Sequence, residues 1–169
     1  TANGPAVIWL EGAVDAKRIY AKIFTGGTWQ ALGTNGASGG GIAGGAVTVQ
    51  VEDLAAATDG TRVAVAWTHI DVSTGARQAY LRELVSGNWT ERAGSGTGSG
   101  MSGSTDGAYA GTLSHNARPT LAYHAGSLFA AWQTFSDEGA AITVVEYAGN
   151  AAAQVRGTFY TPELRSDPV

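Results

Sequence analysis

Hydrophobic and polar positions along this chain alternate in short runs, and the runs return in the same order. Ala6-Val7-Ile8-Trp9 ends in an aromatic, Arg18-Ile19-Tyr20-Ala21-Lys22-Ile23-Phe24 alternates, and Thr25-Gly26-Gly27-Thr28-Trp29 turns towards another Trp. The order recurs as Val63-Ala64-Val65-Ala66-Trp67, Arg77-Gln78-Ala79-Tyr80-Leu81-Arg82-Glu83-Leu84 and Ser86-Gly87-Asn88-Trp89. A third, reduced copy is Leu128-Phe129-Ala130-Ala131-Trp132, Ile142-Thr143-Val144-Val145-Glu146-Tyr147 and Ala148-Gly149-Asn150, with Ala152 where the last Trp would fall. Alternation with period two over runs of this length predicts strands. No window keeps an apolar stripe at helical spacing for three turns, so no long helix is expected.

Each copy predicts up to four strands. An inner strand such as Leu54-Ala55-Ala56-Ala57 or Thr120-Leu121-Ala122-Tyr123 leads through Asp59-Gly60 or Ala125-Gly126 to the strand that ends in Trp67 or Trp132. Asp-Gly between apolar runs is a hairpin signal. A third strand begins near Ile19, Gln78 or Ile142, and a Gly turn leads to a fourth at Trp29 or Trp89. Gly/Ser-rich passages follow, from Gly33 to Gly45 and from Gly94 to Gly107. Their composition resembles a flexible linker, yet Gly39-Gly40-Gly41-Ile42 aligns with Gly98-Ser99-Gly100-Met101. A spacer has no reason to keep one apolar residue at that place. Ordered loops are expected, each with one side chain pinned in the core.

Composition narrows the class. The chain has 169 residues, 44% of them hydrophobic, enough for a single domain with a sizeable core. Its 25 glycines are about twice the usual share, in keeping with many tight turns. Charged residues make up 14% and the net charge is −4, which argues against nucleic acid or an anionic membrane as partner. With no Cys there is no disulfide framework and no thiolate site. No segment approaches the roughly 18 apolar residues that read as a spanning helix, so no membrane insertion is expected. The chain starts at Thr1 rather than Met, as expected of a protein that has lost a leader or of a piece of a longer one. An exported, secreted or cell-surface bacterial protein is the expectation.

Antiparallel four-stranded units repeating at this interval predict blades of a β-propeller. At the residues quoted, the chain resembles bacterial β-propeller repeat proteins with lectin-like or sialidase-like blades, over nearly its whole length. The Asp-box of sialidases is not matched: Thr25-Gly26-Gly27-Thr28-Trp29 lacks the Asp, and Ser104-Thr105-Asp106-Gly107 lacks the Trp. The resemblance implies an all-β fold of three four-stranded blades, half of a six-bladed ring. Asn3-Gly4 opens a hairpin whose first strand is missing, while Thr161-Pro162-Glu163-Leu164 resembles the start of the inner strand at Arg118-Pro119-Thr120-Leu121. One domain over 1–169 is expected, its first blade completed by the C-terminal strand 161–169 of a second copy, in a homodimer with no open edge; a three-blade fragment of a longer chain is the competing explanation.

Function is expected on loops held by a rigid scaffold. In a propeller the loop between the second and third strands shares a face with the loop that leads to the next blade. The candidate ligand-binding residues are Asp15, Arg18, Trp29, His69, Asp71, Arg77, Trp89 and Asp137. For each, core packing or a solvated turn is the competing explanation. The motifs His-Glu-x-x-His, Gly-x-Ser-x-Gly and the P-loop are all missing, so no catalytic residue, metal or cofactor is assigned. The expected function is non-catalytic recognition of a carbohydrate or glycoconjugate. A glycosidase- or lyase-like enzyme and a structural or protein-binding scaffold stay open as alternatives.

Overall fold

The computed structural model describes residues 3–13, 16–44, 49–71, 75–97, 100–103, 115–136, 139–149 and 154–161. Eleven strands and one helical turn run through these residues. The strands are β1 (Ala6–Glu11), β2 (Arg18–Thr25), β3 (Thr28–Ala31), β4 (Val49–Thr58), β5 (Val63–Asp71), β6 (Arg77–Val85), β7 (Asn88–Thr90), β8 (His115–His124), β9 (Ser127–Ser136), β10 (Gly139–Ala148) and β11 (Gln154–Thr161). The helical turn α1 is Gly100–Gly103.

The fold is all-β, built of antiparallel sheets of three to four strands. Sheet 1 has the order β1-β2-β3. Sheet 2 runs β4-β5-β6-β7 and sheet 3 runs β8-β9-β10-β11, joined by a single parallel bridge between Arg77 and His115. Among the described residues β1 pairs only with β2, so sheet 1 lacks the inner strand that opens the other two. Thr161 ends β11 opposite Ala140, and residues 162–169, expected to supply a completing strand, lie outside the described residues.

The register shows why the repeat reads as it does. Trp9 lies opposite Tyr20, Trp67 opposite Tyr80 and Trp132 opposite Thr143, so each Trp sets the alignment of its sheet with the others. Two cores form, one on each side of sheet 2. The first joins Ile19, Ala21 and Ile23 of sheet 1 to Val63, Val65, Trp67 and Tyr80 of sheet 2. The second joins Ala64, Ala66, Ala79 and Leu81 of sheet 2 to Leu128, Ala130, Trp132, Val145 and Tyr147 of sheet 3. The unbroken apolar run Val63 to Trp67 is the consequence, since β5 is buried on both faces. Large Val and Trp side chains fill one side of it, and Ala leaves room for Leu128 and Trp132 on the other.

The Gly-rich passages are ordered where they are described. Ile42 is 1% exposed in the first core and Met101 is fully buried in the second. The preceding residues, Gly41 (φ 69°) and Gly100 (φ 68°), are left-handed, and a Cβ there would stand 2.4 Å and 2.3 Å from the carbonyl oxygens of Ile19 and Ala79. Those two carbonyls occupy the same repeat position, so both loops dock by one device that only glycine allows.

A polar cluster crosses from sheet 2 to sheet 3 at the short-turn end. The Glu83 carboxylate is fully buried, accepts from the Arg92 guanidinium, and accepts from the Tyr123 hydroxyl at 2.7 Å. Burial, then this hydrogen bond, pushes the Tyr123 phenol far above its ordinary range. Arg92 also donates to the Gly149 carbonyl, and the Arg62 guanidinium lies 4.7 Å from the centre of the Tyr123 ring.

Candidate binding site at the long-loop end

Strands run further than the alternation predicts at the opposite end. His69 and Asp71 belong to β5, Arg77 opens β6, and His115 and Asn116 open β8, so these residues stand on strand ends and not in long loops. The inner strands β4 and β8 each carry a bulge there, between Glu52 and Ala55 and between Ala117 and Thr120. Asp53 (φ 49°) and Arg118 (φ 54°) are the left-handed residues of the two bulges. Non-glycine residues rarely adopt this conformation, and a bulge re-aims the side chains it carries.

The bulges bring residues of neighbouring sheets together. Asp53 Oδ2 accepts from Thr68 Oγ1 at 3.0 Å and from the Arg118 backbone N–H at 3.2 Å. The Arg118 guanidinium donates to Gln133 Oε1 at 3.5 Å. Glu52 accepts from the Gln50 amide at 2.7 Å and lies 3.9 Å from the Arg77 guanidinium. Beneath them, Gln78 Oε1 accepts from Ser102 Oγ at 2.6 Å and from the Asn116 amide at 3.2 Å, while Thr134 donates to Asn116 at 2.8 Å. Buried Asn116 and Thr134 thereby fix the floor, and Arg77 and Glu52 keep side chains 41% and 33% exposed above it.

The structure gathers only part of the expected set. His69, Asp71 and Arg77 share the end of sheet 2, and Ile70 faces Arg77 across the ladder. Arg18 belongs to sheet 1, where its guanidinium donates to the Gly39 carbonyl and helps hold the first Gly-rich loop. Trp29 is 47% exposed on sheet 1, its ring 5.4 Å from Phe24. Trp89, expected as a ligand contact, is 9% exposed in the first core, and its indole N–H donates to the Leu32 carbonyl at 2.8 Å. Asp15 and Asp137 lie outside the described residues. Glu52, Asp53 and Arg118 lie on strands and not on the loops where function is expected. Glu52-Asp53 and Arg118-Pro119 stand just before the inner strands predicted at Leu54 and Thr120, and the observed strands begin several residues earlier.

His69 is half-buried with its ring 4.9 Å from that of Tyr80. Burial lowers its pKa below the usual 6.5, and Asp71 partly opposes this. The unfolded chain therefore binds more protons at this site than the native one, and the stability due to neutral His69 falls as pH drops below the unfolded value. Urea midpoints at about pH 7.5 and about pH 5.5 should differ more in the wild type than in His69→Gln, provided the fold is retained. Equal differences would remove His69 from the account.

Among the described residues no three His, Asp or Glu side chains converge to hold a metal ion. No family model matches the chain, and no curated protein or solved structure is significantly similar to it.

Proposed function

We propose that the chain is a non-catalytic binding module of three propeller-type blades, from an exported protein, whose ligand is a carbohydrate or glycoconjugate. The observation that carries this reading is the row of Glu52, Asp53, Arg77 and Arg118 where sheets 2 and 3 meet. Two carboxylates and two guanidinium groups belong to it, so acceptors and planar forks of donors share one strand-end region. Adjacent hydroxyls of a sugar each donate and accept, and such a row can satisfy both at once. The row sits on strand ends braced by Asn116, Thr134 and Gln78, so little ordering is required on binding. Charged groups of both signs, with Glu52 3.9 Å from Arg77 and Asp53 bound to the Arg118 backbone N–H, suit a polar neutral ligand better than a single ion.

A glycan array with the wild-type chain, followed by titration of the best glycan, tests the proposal. Loss of a hydrogen bond to a charged group removes about 1.5–3 kcal/mol, so Arg77→Ala and Arg118→Ala should each weaken binding by roughly tenfold or more. An empty array, or glycan binding that neither substitution changes, would contradict it.

A further inference from the structure

The geometry points to a second copy of this chain as the partner of both outer sheets, with sheet 1 of each copy packed on sheet 3 of the other. This inference rests on the blade reading above but not on the identity of the ligand. It starts from equivalent positions. Val7 and Trp9 of sheet 1 correspond to Val65 and Trp67 of sheet 2 and to Ala130 and Trp132 of sheet 3, because each Trp fixes the register. On the other face of each sheet, Ile19 and Ala21 correspond to Ala79 and Leu81 and then to Ile142 and Val144.

Twice within the chain these two faces meet. The Trp face of sheet 2 packs on the Ile19 face of sheet 1, and the Trp face of sheet 3 packs on the Leu81 face of sheet 2. Val65, Trp67, Ala130 and Trp132 are at most 2% exposed, and Ile19, Ala21, Ala79 and Leu81 are fully buried. Each outer sheet is left with one unmatched face. Val7 is 45% exposed where Val65 is sealed, and Ile142 is 40% exposed where Ile19 and Ala79 are sealed.

Exposed apolar side chains concentrate on these two faces. Of the eight large hydrophobic residues exposed among those described, Val7, Phe24 and Trp29 share the Trp face of sheet 1. Phe135, Ile142 and Phe159 share the far face of sheet 3, where Ile142 pairs with Phe159 and Ala140 with Phe135. Apolar patches of this kind mark interaction sites. The two patches are the two halves of an interface the chain already makes twice, so the occupant that fits each is the other patch. A single chain cannot bring its outer sheets together without a further three blades or so, and two copies supply six, within the usual range of roughly four to eight. Trp29 belongs to this contact and not to the ligand site. Trp89, its repeat equivalent, is already buried against sheet 1.

The contact joins unlike faces, so the ring closes with two identical interfaces, and this gives a discriminating test. Light scattering of the wild type should give twice the 17.2 kDa of one chain. Val7→Lys alone and Ile142→Glu alone should each give monomers, with unchanged circular dichroism to show that the fold is retained. An equimolar mixture of these two variants should recover the doubled mass. In the mixed pair one interface joins Lys to Glu and the other is wild type. A monomeric wild type, an open ladder of larger species, or a dimer that neither substitution disturbs would each overturn the inference. A dimer lost in one variant but not regained on mixing would mean like faces meet, which also overturns it. A monomer that still binds glycan would sink the docking surface and leave the proposed function standing.

Discussion

Glu83→Ala is expected to destabilise the fold by about 3–5 kcal/mol, the usual consequence of removing one partner from a buried ion pair. The carboxylate is fully buried, and its loss strands the Arg92 guanidinium and the Tyr123 hydroxyl between sheets 2 and 3. A domain is stable by only about 5–15 kcal/mol, so this one change can consume a large part of the total. Glu83→Gln should cost less, because the amide oxygen still accepts from Tyr123. Glu83→Ala combined with Arg92→Ala should be less damaging than the sum of the two single changes, since the stranded charge goes with its partner. Urea unfolding of the four proteins measures all of this. A loss of under about 1 kcal/mol for Glu83→Ala, the range of surface ion pairs, would show that the cluster is open to water.

Met101→Ala and Ile42→Ala are each expected to cost about 2–5 kcal/mol, the range for cutting a large buried side chain back to alanine. The two residues belong to glycine-rich passages whose composition alone suggests a spacer, and a spacer residue would change stability by less than about 0.5 kcal/mol. Their burial between successive sheets, with Gly41 and Gly100 fitted against backbone carbonyls, makes them core residues that arrive by way of a loop. Equilibrium unfolding decides between the two values. The pair also tests whether the repeats are equivalent, because matched losses at Ile42 and Met101 mean that each loop seals one inter-sheet core.

The fold was legible where the side chains repeat. Trp9, Trp67 and Trp132 marked the strands and their register, and Ile42 and Met101 marked the loops that fold inward. The proposed ligand site was legible only in part. Arg77 was readable as a charged residue at the start of a strand, whereas Asp53 and Arg118 depend on two bulges that shift the register inside β4 and β8. Periodicity fixes which face a residue takes only while the ladder stays regular, and a bulge resets that assignment. Trp29 and Trp89 show a different limit. They hold the same repeat position, yet one is 47% exposed and the other 9%, because sheet 1 covers Trp89 and no described sheet covers Trp29. Neighbouring sheets decide that difference, and a local pattern does not contain it.

In the proposed dimer the two uncovered faces lie against each other across two chains. The chain has no Cys, so the variant carrying both Val7→Cys and Ile142→Cys places thiols on those faces and nowhere else. Treated with a short bismaleimide in dilute solution and run on a denaturing gel, it should give a covalent band at twice 17.2 kDa, with each single-Cys variant remaining at 17.2 kDa. A doubly substituted chain that stays at 17.2 kDa, or one that runs as a ladder of higher multiples, would contradict the claim.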